Sequence, residues 1–151
     1  MKLVVLISVF ILLCGISFMA FDRVDTALFG RLALAAMFVF TGVIHIVYRD
    51  GIYLTYPDFL PQRFKIKLLL AVGDLQFAFA AGFIFSEVAR ILTVFVLVYL
   101  LLGFFTLVNA SSKKISIKRG NHTGNGHAYL FYKIPEQLIV IVWTYYFGLV
   151  A

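Results

Sequence analysis

Acidic side chains are scarce in this chain. Asp and Glu together number seven among 151 residues, against thirteen Lys and Arg, and charged residues of either sign make up only 13%. Ordinary globular chains run at about 25% charged and about 45–50% apolar. Here 63% of residues are hydrophobic and the mean hydropathy is +1.02. A soluble domain of this length has too little interior to hide that much apolar surface, so the soluble globular class is excluded. Cysteine occurs once, as Cys14, which excludes an internal disulfide and intrachain dithiol chemistry. No stretch alternates with period two as the strands of a membrane barrel do. Also missing are a glycine-rich phosphate loop, a metal-ligand cluster and a nucleophile with its base and orienting partner.

What the sequence has instead is apolar length. Hydrophobic stretches occupy residues 3–20, 28–48, 68–89, 91–110 and 129–150. Each is near the roughly 20 residues that carry a helix across about 30 Å of hydrocarbon. The expected fold is an all-α membrane protein, a five-segment transmembrane bundle in one compact unit. The first stretch could be a signal peptide, but Phe18-Met19-Ala20 makes a poor small-x-small cleavage site, and Leu13 before Cys14 is no lipoprotein box. It reads as a retained helix. Cys14, among Leu12, Leu13 and Ile16, reads as a small packing residue.

The basic residues sort by loop. If all five stretches span, Lys2, Arg49, Arg63, Lys65, Lys67, Lys113, Lys114, Lys118, Arg119 and Lys133 share one side, and only Arg23, Arg31 and Arg90 lie opposite. The positive-inside rule then places the N-terminus in the cytoplasm. Topology thus accounts for the net charge of +6, and it is not a nucleic-acid signal. The expected surroundings are the lipid bilayer together with a protein partner or a second copy of the chain.

The loops differ in character. Asp25-Thr26 is suited to cap the second helix. Residues 49–67 carry Ile52, Tyr53, Leu54, Tyr56, Phe59 and Leu60, too apolar for a loop in water, and should lie in the interface or fold back over the helix ends. Residues 111–127 are basic and glycine-rich and read as a mobile connector beside anionic headgroups. His122 and His127 in that loop make a poor metal site.

Alternate threading brings His45, Asp74, Gln76, Asn109, Lys133, Glu136 and Gln137 to one end of the membrane, while the other half stays almost wholly apolar. Polar groups in hydrocarbon are costly unless paired, so this layer is the candidate polar pocket, in the cytoplasmic leaflet. Asp74 is its strongest member. It lies on a stripe with Ala71, Ala78 and Gly82, where small residues admit a neighbouring helix. A structural clamp between helices and a functional carboxylate are equally compatible with that placement. Gln76 lies on another face. In the fourth stretch Tyr99, Gly103, Thr106 and Asn109 form a small-polar stripe. In the fifth, Pro135 suits a first helical turn, and Lys133 stands three residues before Glu136 as an ion partner. Tyr99 and Trp143 are the candidate apolar wall of the pocket, though core packing explains Trp143 as well. A lone His45 does not supply the two axial ligands that haem between helices generally wants.

In order and spacing, these elements resemble the DoxX-like family of small bacterial membrane proteins. The pattern comprises Arg31, Phe40-Thr41-Gly42-Val43-Ile44-His45, Tyr56-Pro57-Asp58-Phe59-Leu60-Pro61, Gly73, Arg90 and Asn109. It closes with Gly124-Asn125-Gly126, residues 129–137 and Trp143. The likeness covers about residues 30–147. Gln76 stands where the family often has Glu, and Lys133 where it has Arg. The resemblance implies a four-helix membrane core, here residues 28–151, preceded by an extra helix and short loop in residues 1–27. It further implies residence in the bacterial cytoplasmic (inner) membrane.

Three functions follow as expectations. The first is a non-catalytic membrane subunit or anchor for a redox or sulfur-metabolism partner. The second, from the likeness of some family members to thiosulfate:quinone oxidoreductase subunits, is a quinone- or lipid-binding oxidoreductase subunit. In it Asp74, Glu136 and His45 would handle protons. The third, a small-solute or proton transporter, lacks a polar path through the outer half.

Overall fold

The computed structural model describes residues 1–21 and 24–151; Asp22 and Arg23, which belong to the first loop and to the charge count above, lie outside that set. The helices are α1 (Lys2–Phe21), α2 (Thr26–Val47), α3 (Arg49–Thr55), α4 (Gln62–Ile84), α5 (Ser86–Ser112) and α6 (His127–Tyr145), and α6 runs into a π-helical turn, Tyr146–Val150. Four of them, α1, α2, α4 and α5, are long and apolar enough to cross a membrane. The architecture is therefore all-helical and compatible with a multi-pass membrane protein. The fourth and fifth spans of the sequence reading correspond to α5 and α6, but α6 carries Lys133, Glu136 and Gln137 and is not one of those four.

Contacts at the helix ends show that the long helices alternate in direction. The Met1 amine meets Glu136 in the first half of α6, whereas Gly30 near the start of α2 accepts a hydrogen bond from Trp143 far along α6. One end of the bundle, called here the polar end, gathers the start of α1, all of α3, and the starts of α4 and α6. The opposite end, the turn end, holds Phe85, the one residue between α4 and α5.

Small residues explain why α2 is central. Its buried positions include Gly30, Ala33, Ala35 and Gly42, which let α1, α4 and α6 come close. A Cβ on Gly30 would fall on the Phe147 ring, and one on Gly42 would meet Phe77. Close packing matters here because lipid tails are as apolar as the side chains, so little hydrophobic force drives helices together in a bilayer. The core runs from Leu6 through Leu34, Met37 and Phe38 to Phe79, Phe83, Val96, Leu100 and Val140. The remaining surfaces of α1 and α5 are largely exposed aliphatic and aromatic side chains, as lipid contact requires.

Several boundaries differ from the apolar runs. Helix α4 begins at Gln62, well before Leu68, since Gln62, Arg63, Lys65 and Lys67 are good helix formers though not apolar. Asp25 caps α2, accepting from the Leu28 amide at 2.9 Å. Helix α6 begins at His127, so Pro135 lies in its interior and not in its first turn. The start is fixed from outside α6: Gly126 takes φ +55°, and its carbonyl accepts from the Ser111 hydroxyl at 3.0 Å.

The two polar-end loops are folded. Helix α3 turns Ile52 and Tyr56 inward against Leu69, with Ile44, Tyr48 and Ile117 around them. Residues 113–126, expected to be a mobile connector, form a tight cap. Ser116 and Asn121 make an antiparallel bridge, the Gly124 amide donates to the Lys114 carbonyl at 2.6 Å, and Ile115 is buried. Glycine permits this. A Cβ on Gly124 would strike the Ile115 carbonyl, and one on Gly51 of α3 would strike that of Ile117.

Candidate functional site

The polar layer is built helix by helix. On α4 the buried face runs through Lys65, Leu69, Gly73, Gln76, Ala80 and Phe83, steps of three and four that keep one side inward. Gln76 is on that face and only 2% exposed. Its amide donates to the Tyr99 hydroxyl of α5 at 2.5 Å, and its carbonyl oxygen is buried without a partner among the described residues. Tyr99 is held by Phe38 and Phe79, with ring centroids at 6.5 and 5.4 Å. One residue further along α5, the Leu100 carbonyl accepts from the Gln137 amide of α6 at 2.8 Å. Gly103 leaves room for that amide. The other end of Gln137 accepts from Lys2 of α1.

Beside it, Glu136 is the electrostatic centre. One carboxylate oxygen accepts from Lys133 at 2.5 Å, and the other pairs with the Met1 amine at 3.2 Å and receives the Leu3 amide at 3.4 Å. Helices α4, α5, α6 and the start of α1 are thus joined in sequence: Gln76 to Tyr99, the Leu100 carbonyl to Gln137, Gln137 to Lys2, and Glu136 to the Met1 amine. Gln76, Lys133, Glu136 and Gln137 belong to this layer, with Tyr99 as a hydrogen-bonding member.

Other candidate residues are placed elsewhere. Asn109 donates to the Thr55 carbonyl at 2.7 Å, satisfying one of the orphan carbonyls at the end of α3. Beside Asn109 is a shallow groove of about 390 Å³ on the outside of α5, lined by Phe104, Phe105, Val108 and Ser112. His45 bonds back to the Thr41 carbonyl at 3.2 Å and lies over Gly73. Trp143 is nearer the turn end, edge-on to Phe10 at 5.1 Å and 4.9 Å from Phe147. Tyr99 and Trp143 therefore stand in separate aromatic clusters.

Asp74 is apart from all of these. It is exposed near the middle of the 23-residue α4, one residue beyond buried Gly73 and so turned about 100° away from the packed face. No hydrogen bond or ion pair joins it to another described residue. Ala71 and Ala78, one turn to either side, are exposed with it.

At the outer surface of the polar end, Asp58 bridges Lys113 at 2.5 Å and Lys65 at 3.4 Å. The Lys113 hydrogen bond, then that of Lys65, holds the Asp58 carboxyl below its usual value. Burial pushes the Tyr56 phenol up to about 12. Arg49, Arg63, Lys67, Lys114, Lys118 and Arg119, in the same polar-end segments, are all exposed.

Sequence reasoning did not anticipate Met1 and Lys2 as members of the layer. Lys2 was legible there as a charge on the polar side; that its side chain reaches Gln137 depends on how α1 packs. No family model, curated protein or solved structure matches this chain.

Proposed function

We propose that this chain is an integral membrane protein of DoxX-like type, acting as a non-catalytic membrane subunit or anchor that holds a protein partner at the bilayer. In this reading all five long helices span, the polar end is cytoplasmic, and the membrane is the bacterial inner membrane. The observation that carries it is Asp74. A carboxylate in the middle of a spanning helix is expensive in hydrocarbon and finds a partner or a water-filled path. Here it faces outward between Ala71 and Ala78, without a partner among the described residues of its own bundle. A helix from another polypeptide, seated on that small-residue strip, supplies the missing donor. The paired state of the polar layer fits the same reading, because Glu136 and Gln137 are engaged in holding helices in register. A redox or sulfur-metabolism partner is the expectation that the DoxX-like likeness adds.

The test is photocrosslinking in native membranes from a probe at Ala78, with Asp74 intact and as Asp74→Leu. A recurrent protein adduct that disappears in the variant is expected. Lipid adducts alone, the same with or without Asp74, would sink the anchor reading. A stoichiometric quinone extracted with the protein would favour the oxidoreductase-subunit alternative.

A further inference from the structure

At the turn end, away from the polar layer, a cavity of about 240 Å³ opens between the start of α2, the start of α5 and the π-helical turn. Its walls include Arg31, Arg90, Ser86, Glu87, Phe147 and Gly148, and Ala151 borders it. Two arginines, a serine and a glutamate therefore line one space in the half of the molecule whose sequence is otherwise apolar. Neither arginine forms an ion pair with Glu87 or with any other described residue. The Nε of Arg31 is buried and has no hydrogen-bond partner among the described residues. Buried donors are rarely left unmet, and each such group calls for an explanation.

The cavity is made by the backbone. Helix α6 widens to π geometry over Tyr146–Val150, a local change that is frequent at functional sites. Gly148 lets that turn press against α5, since a Cβ there would overlap the Thr93 hydroxyl. Phe147 is drawn in against Gly30 by the same turn. Arg31 lies five residues into α2 and Arg90 four into α5, so both sit about 6–8 Å inside the helix ends at 1.5 Å per residue. In a spanning bundle that is about one to one and a half turns inside the helix ends, from which long basic side chains reach the level of lipid phosphates by snorkelling. This placement rests on the spanning reading above, though not on the partner proposed there.

We infer that this cavity binds the headgroup of a zwitterionic phospholipid, a phosphodiester bearing a primary ammonium, as in phosphatidylethanolamine. Arg31 offers its terminal guanidinium N–H groups to the phosphate, whose oxygens suit a planar fork of donors. Arg90 and the Ser86 hydroxyl complete the anion's surroundings. Glu87 takes the ammonium, and it is this unpaired carboxylate that favours a zwitterion over a purely anionic lipid. The volume equals about eight waters at roughly 30 Å³ each, the scale of a phosphate with a two-carbon amine. Exposed Val88, Ile91 and Phe85 beside the opening give acyl chains an apolar surface to follow.

The test is native mass spectrometry of the full chain released from bilayers of equal phosphatidylethanolamine, phosphatidylglycerol and phosphatidylcholine. One phosphatidylethanolamine per chain should persist. Arg31→Gln with Arg90→Gln should lower its occupancy at least tenfold. Glu87→Gln should keep a lipid bound but erase the preference for phosphatidylethanolamine over phosphatidylglycerol. Arg31→Lys, which keeps the charge without the fork, controls for folding, and circular dichroism of each variant checks it directly. Equal retention of the three lipids by the native chain, or unchanged occupancy in the double variant, overturns the proposal. Inorganic phosphate or glycerophosphoethanolamine displacing the lipid at micromolar concentration would assign the site to a soluble phosphate and also overturn it. Loss of the Ala78 crosslink would bear on the partner and leave this measurement untouched.

Discussion

Glu136 is where single residues matter most. It is buried, and Lys133 and the Met1 amine both depend on its carboxylate. Glu136→Ala should destabilise the bundle by about 2–3 kcal/mol, the scale of hydrogen bonds to charged groups. Gln137→Leu should cost less, about 1–2 kcal/mol, because it removes a single hydrogen bond from the Lys2 ammonium and one to the Leu100 carbonyl, which has a helical partner as well. Unfolding of both variants by detergent titration in mixed micelles checks the order; equal losses would mean that Glu136 is not the centre of the layer. Asp58 makes a pH prediction. Its folded-state value lies below the ordinary 3.8, lowered first by Lys113 and then by Lys65. Its contribution is therefore complete above about pH 4 and is lost as pH falls through the depressed folded value. Amide exchange, corrected for its intrinsic pH dependence, should show residues 56–61 losing protection in that acid range, and Asp58→Asn should abolish the transition.

At the scale of elements, the polar-end cap depends on backbone approaches that only glycine allows. Gly51→Ala would drive a methyl group into the Ile117 carbonyl, and overpacking of this kind costs about 1–3 kcal/mol. The strain should fall on residues 113–126, so limited proteolysis at Lys118 and Arg119 should quicken while the long helices stay intact. Unchanged cleavage would show that the cap is not held by α3. Helix α4 shows how local sequence and packing divide the work. The neighbours Gly73 and Asp74 have opposite fates because the packed face passes through the first. Apolar periodicity is weak in a helix whose lipid side is also apolar, so this assignment was hard to read from spacing. A helix that is greasy all round hides its own inner face. In α2 the glycine and alanine positions mark that face better, because close approach demands small residues whatever lies on the lipid side.

For the whole molecule, the alternating helices and the ten-to-three division of the thirteen basic residues predict a sidedness. In a Cys14→Ser background, a cysteine at Lys118 should react with an impermeant thiol reagent only from the cytoplasmic side. One at Ser86 should react only from the other. Reaction of both from the same side would contradict the five-span reading, and with it the placement of Asp74 in hydrocarbon. Helix α1 belongs to the same assembly, since Leu6 is fully buried and Phe10 packs on Trp143.

Composition by itself determined the helical membrane class, because no small soluble core can absorb so much apolar surface. Alternating apolar runs then set the depth that Gln76, Lys133, Glu136 and Gln137 share, since a residue's depth follows from its distance along a straight helix. Only the tertiary structure decided which of these touch. Depth is a one-dimensional property that sequence records, whereas azimuth depends on which helices pack together. That is why Gln76 finds Tyr99 while Asp74, two residues away, faces outward. The same holds for the cavity at the turn end. Arg31 and Arg90 are 59 residues apart in the chain, and it takes the packing of α2 and α5 against the same π turn to make them line one space.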